Sequence, residues 1–112
     1  MYGHIGKFTA TEGNDSALLD CLVQASRAVV GTTGLHQYQI FQGEDGAVWA
    51  VEIWATREDH DASLDDQTTK DLIASVRPFI ASAQSNQLTF QGGLGPDGRW
   101  ADADLNPETA GH

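Results

Sequence analysis

His4, His36 and His60, together with Tyr38 and Glu52, are the side chains of this 112-residue chain with the most chemistry to offer. Histidine is the natural proton acceptor near neutral pH. Tyrosine and tryptophan build flat walls that each end in a polar tip, which suits them to small aromatic ligands. Glu52 is the most informative of the set. It stands two residues before Trp54 in "AVWAVEIWAT", a run that alternates like a strand yet has no polar face. Buried carboxylates are rare unless paired. Glu52 is therefore either held by an ion pair or by backbone hydrogen bonds at an interface, or it is a pocket carboxylate acting as a base. Lys7, Arg27 and Arg77 are the possible counter-charges.

His60 is the first candidate for a general base, because it follows the third strand where a pocket between sheet and helices would open. It also lies among Glu58, Asp59 and Asp61, so a solvated histidine in an acidic run is the alternative. Strand alternation groups His4 with Tyr2 and Phe8, and His36 with Tyr38 and Ile40. A packed structural histidine is the competing reading for both. Tyr38 is placed to hold a substrate oxygen or to fill a core or interface. Trp54, His36, His4 and Phe79 are the candidate pocket wall, and Trp49 must face the side of the sheet opposite Trp54. Cys21, the single cysteine, reads as a small buried group rather than a nucleophile. No Ser-His-Asp order, P-loop or dinucleotide glycine pattern is present. "GGLGPDG" joins no strand to a helix, so phosphate binding is not expected.

The elements that must position these residues follow from period and punctuation. Tyr2–Ala10 reads as a first strand. A helix starts near Asn14 or Asp15 and runs to about Val30, with Leu18, Leu22, Val23 and Val29 at helical spacing and Gly31 as its stop. Leu35–Gln42 and Ala47–Ala55 read as strands joined by the hairpin turn "GEDG". Thr56 caps a short helix, "REDHDASL". A longer helix is expected from about Asp66 to Ala83, with Leu72, Ile73, Val76, Phe79 and Ile80 inward and Pro78 kinking it. Gln87–Gly93 is the expected last strand. The order β-α-β-β-α-β is the ferredoxin-like α+β pattern, a four-stranded antiparallel sheet with helices on one face. Residues 1–94 form the expected domain. Residues 95–112 read as an irregular acidic tail, whose Trp100 and Leu105 leave docking and disorder both open.

Two helices cover only one side of such a sheet, yet the first three strands carry apolar groups on both. A second copy packed face to face would cover the bare side, so a homodimer is expected. Net charge is 6 − 16 = −10, with no basic stripe, which excludes nucleic acid as a partner class. No segment has the length of a membrane span or the pattern of a signal peptide. A single thiol suits a reducing cytoplasm and excludes metal clusters built from several cysteines.

The runs "KFTATEGNDSALLDCLVQASRAV", "GLHQYQIFQ" and "VWAVEIWATREDHDASL" together resemble the antibiotic biosynthesis monooxygenase domain, over about residues 2–93. The points of likeness are Gly13 after the first strand, Tyr38 in the second, and Glu52 with Trp54 in the third, followed at once by a short helix. The resemblance implies a dimeric α+β barrel. It also implies oxidation of a small hydroxylated aromatic or quinol by dioxygen, with no metal or other cofactor. A haem-degrading branch relies on an asparagine, a tryptophan and a histidine. Gly6 and Ser63 stand where the first two would be, and "TTKDLIASV" offers no histidine, so haem breakdown is not expected. Many relatives carry a histidine near the end of the short helix; Ser63 takes that place, and His60 stands about one turn earlier. The competing function is a non-catalytic dimeric module that binds a small apolar ligand.

Overall fold

The computed structural model of the chain describes residues 1–103. Its strands and helices run β1 (Tyr2–Ala10), α1 (Asp15–Ala28), β2 (Leu35–Gln42), β3 (Val48–Trp54), α2 (Arg57–Ser63) and α3 (Gln67–Val76). A 3₁₀ turn (Arg77–Phe79) then leads into β4 (Ile80–Thr89), and β5 (Gly92–Leu94) pairs with β6 (Trp100–Asp102). The main sheet is antiparallel, in the order β2-β3-β1-β4. This is the ferredoxin-like α+β arrangement expected from the order of elements.

Local chemistry sets most of the boundaries. Gly13 takes φ +79° in the turn before α1, a conformation in which any other residue is strained. In the β2–β3 hairpin Gly46 takes φ +84°, and the Asp45 carboxylate accepts from the Ala47 N–H at 3.0 Å. Thr56 caps α2 by accepting from the Asp59 N–H at 3.0 Å, and Asp66 caps α3 through the Thr69 N–H.

One face of the sheet packs under the helices. Leu18 and Leu22 of α1, Val48 of β3 and Val76 of α3 form the buried cluster, with Phe8, Ile40, Phe79 and Cys21 against it. Ala50 and Trp54 lie on that same covered face and are buried too. The other face carries Ile5, Trp49, Val51 and Ile53, half-buried, and Phe41, exposed. The two-sidedness of "AVWAVEIWAT" is thus real: Trp54 faces the helices and Trp49 the open side.

The largest departure from the sequence reading is at Pro78. The expected helix over 66–83 ends at Val76, and the expected last strand at 87–93 is instead β4 over 80–89. Proline has no N–H to donate one turn back, so the helix tightens into the 3₁₀ turn, and Ile80 is already extended. From there β4 pairs along the whole of β1, from Ala10↔Ile80 to Tyr2↔Thr89. Residues 92–94, at the end of the expected domain, pair with residues 100–102, inside the stretch expected to be irregular, in a two-stranded hairpin in which Trp100 stays exposed. Leu105 lies outside the described residues.

Candidate functional site

Strand register assembles the site. His4 on β1 is directly opposite Glu52 on β3, which is directly opposite Tyr38 on β2. All three project from the helix-covered face in one row. β3 then runs through Ala55 and Thr56 into α2, which folds back over the row and brings His60 down onto it. His60 is 8% exposed, although its neighbours in sequence are acidic and mostly exposed. Its imidazole stacks on His4, with centroids 4.9 Å apart, and meets Trp54 edge-on at 5.5 Å and Tyr2 at 5.2 Å.

Hydrogen bonds fix the orientation of these groups. Trp54 Nε1 donates to Glu52 Oε1 at 3.1 Å, and His4 Nδ1 lies 3.2 Å from Glu52 Oε2. Both oxygens of the carboxylate are therefore partnered. None of the expected counter-charges reaches Glu52: Lys7 pairs with Asp45 at 3.5 Å and sits over Trp49 on the open side. Lys7 is an odd step from His4 along β1 and so points away from Glu52. His60 Nδ1 lies 3.0 Å from Asp61 Oδ1. The carboxylate accepts there, which leaves His60 Nε2 as the nitrogen that can accept a proton.

These side chains wall one end of a cavity of about 360 Å³ between sheet and helices. That is within the range of roughly 300–1,000 Å³ usual for small-molecule pockets. Leu22, Leu72, Ile73 and Val76 supply its apolar side, and Ser63 and Thr69 also line it. Burial pushes the Tyr38 phenol up to about 12, with the Glu52 charge adding to the effect. Tyr38 is accordingly a neutral hydrogen-bond donor at physiological pH. Tyr2 is also raised, by burial first, against the opposing pull of Arg57. Its hydroxyl is buried with no hydrogen-bond partner among the described residues.

Of the residues singled out in the sequence, His4, Tyr38, Glu52, Trp54 and His60 converge on this cavity. His36 and Phe79 do not line it. A bulge between Leu35 and Gln37 puts Leu35, not His36, on the cavity face with Tyr38, and His36 is exposed. Phe79 belongs to the 3₁₀ turn and packs on the core cluster instead. Sequence reasoning missed Asp61 as the partner of His60, and Tyr2 as the ring beside it. Alternation along β1 had already placed Tyr2 with His4. The fold also draws one ligand-capable atom from each of His4, Glu52 and His60 within 4.8 Å of one another.

The profile of the antibiotic biosynthesis monooxygenase family matches residues 1–75. The chain is 35% identical to a candidate antibiotic biosynthesis monooxygenase from Chloroflexus aurantiacus J-10-fl. Its crystal structure superposes with a TM-score of 0.74 over 84% of this chain and 96% of that one. A crystal structure from Deinococcus radiodurans carrying the same family name is 14% identical, with a TM-score of 0.74 over 85% of this chain and 97% of that one. A third, from Nitrosomonas europaea, is 16% identical, with a TM-score of 0.71 over 79% and 96%. At the last two identities the likeness is one of fold. No curated protein matches the chain.

Proposed function

The chain belongs to the antibiotic biosynthesis monooxygenase family, and on that footing we propose that it oxidises a small hydroxylated aromatic or quinol with dioxygen, drawing the electrons from the substrate itself. The observation that carries this reading is the convergence of His60, Tyr38 and Glu52 on one largely apolar cavity. A phenol or enol bound there gives its proton to His60 Nε2, while Asp61 steadies the imidazole from the other nitrogen. Tyr38 donates a hydrogen bond to the oxygen that is becoming an anion. The electron-rich anion reduces dioxygen, and a carbon–oxygen bond forms to give a peroxide. Cleavage of the oxygen–oxygen bond leaves one oxygen in the product as a carbonyl. The other leaves as water with the two hydrogens that the substrate has lost. Trp54 and Phe8 give the flat and apolar walls that exclude bulk water from this sequence.

Such an enzyme would work as a homodimer, with a second copy covering Trp49, Val51 and Ile53 on the open side of the sheet and leaving the cavity beneath the helices. A reducing cytoplasm would suit its single thiol.

Oxygen uptake by purified protein over a panel of hydroquinones and anthrones tests the activity. At least one substrate is expected to exceed the uncatalysed rate, with kcat falling roughly 10²-fold or more in His60→Ala and measurably in Tyr38→Phe. Background rates for the whole panel, or two variants indistinguishable from wild type, would refute it. Thermal stabilisation by the same compounds without turnover would identify a binding module instead.

A further inference from the structure

We propose that His4, Glu52 and His60 form a binding site for one divalent transition ion of the zinc or cobalt kind. The inference goes beyond the oxidation proposed above and does not depend on it. Two imidazoles and one carboxylate are a borderline nitrogen and oxygen donor set, which zinc, cobalt and iron(II) favour over calcium or magnesium.

The geometry is near that of a loaded site. Ligand bonds of about 2.0–2.2 Å place two donors on a tetrahedral ion roughly 3.4 Å apart. His4 Nδ1 and Glu52 Oε2 are already 3.2 Å apart. One ligand-capable atom from each of the three residues lies within 4.8 Å of the others, so an ion would draw them together by on the order of 1 Å. Cross-strand pairing fixes the first two ligands relative to each other, and the Thr56 cap fixes the start of the helix that carries the third.

The outer shell also fits. Metal-bound histidines usually give their second ring nitrogen to a carboxylate, and ligating carboxylates are themselves hydrogen-bonded. Asp61 stands at His60 Nδ1 and leaves Nε2 for the ion; Trp54 Nε1 holds the Glu52 oxygen that His4 does not touch. Among the described residues no lysine or arginine pairs with Glu52, so neither side-chain type competes for the carboxylate. Three protein ligands leave a fourth position, and the cavity lies beside it. An ion there would use the lone pair that His60 needs for proton transfer, so metal occupancy and base catalysis exclude each other.

Cobalt(II) added to chelator-stripped full-length protein provides the test, with no substrate present. Ligand-field bands more intense than those of the hydrated ion are expected, saturating at one equivalent per chain and lost on adding zinc. His4→Gln and Glu52→Gln should each weaken binding roughly tenfold or more, and Asp61→Asn, behind a ligand, by about 10- to 100-fold. His36→Gln, on the exposed bulge, should leave it unchanged. Circular dichroism establishes that each variant is folded, and His4→Gln with Glu52→Gln decides the matter even where a His60 variant does not fold. Failure of the wild type to develop the bands overturns the proposal. So does undiminished affinity in both deciding variants, or loss of binding in His36→Gln.

Discussion

Glu52 touches His4 and Trp54 and faces Tyr38 across the strand pair, so a change in its charge is felt on both neighbouring strands. Tyr38 reports it most directly. Its phenol is pushed up to about 12, by burial first and by Glu52 second. The folded state thus holds the tyrosine proton more tightly than the unfolded chain, whose phenols titrate near 10. Stability tied to this group is present in full below pH ~10 and is lost as pH rises through about 12, by roughly 3 kcal/mol in all. The chain has two tyrosines, and Tyr2→Phe leaves Tyr38 alone. In that background the phenolate absorbance should rise with a midpoint of about 12. Adding Glu52→Gln should lower the midpoint while leaving it above the ordinary tyrosine value, because burial, the larger cause, is untouched. A midpoint at the ordinary value in Tyr2→Phe itself would show a solvated phenol and remove Tyr38 as the donor to an oxyanion.

Helix α2 is only seven residues long and carries His60, so its anchoring decides how well the base is aimed. Gly34 is the clamp. It takes φ +78°, its carbonyl accepts from the Ala55 N–H at 2.7 Å, and a Cβ built there would fall on the Asp59 carboxylate. Gly34→Ala should therefore cost roughly 1–3 kcal/mol in urea unfolding, and should lower kcat through a displaced His60. Full stability and activity in that variant would show that α2 is positioned by something else. Elements of this kind were legible where punctuation is local. β1 and β2 match their expected bounds because turn glycines and N-cap residues flank them. β4 was not legible, since "IASAQSNQLT" has no apolar alternation and is rich in residues neutral between helix and strand; long-range pairing with β1 makes it a strand. The site divides the same way. Alternation put Glu52 with Trp54, and His4 with Tyr2, on shared faces. The register that sets His4 opposite Glu52, 48 positions apart, is a tertiary fact. The bulge that turns His36 out to solvent inserts a single step that no pattern in "GLHQYQIFQ" announces.

The molecule as a whole joins a sheet face with an uncovered apolar patch to a strongly negative net charge, and these two features pull an association equilibrium in opposite directions. Phe41 is 55% exposed and Leu88 44% exposed on the open side, beside Trp49, Val51 and Ile53. A stable pairing needs about 800 Å² from each partner. Each chain brings a charge of −10 to the encounter, so two chains repel until salt screens them. The screening length falls from about 30 Å at 0.01 M to about 10 Å at 0.1 M salt. Dimerisation through the open face should accordingly tighten as salt is raised, the opposite of an interface held by ion pairs. Sedimentation equilibrium at micromolar concentration should return twice the 12.0 kDa chain mass, with a dissociation constant that drops between those two salt levels. Val51→Lys, central on the open face and remote from the cavity, should give a folded monomer whose tryptophan emission is more accessible to quencher. A single-chain mass for the wild type, or a dimer that Val51→Lys leaves intact, would mean that the open face is covered in some other way.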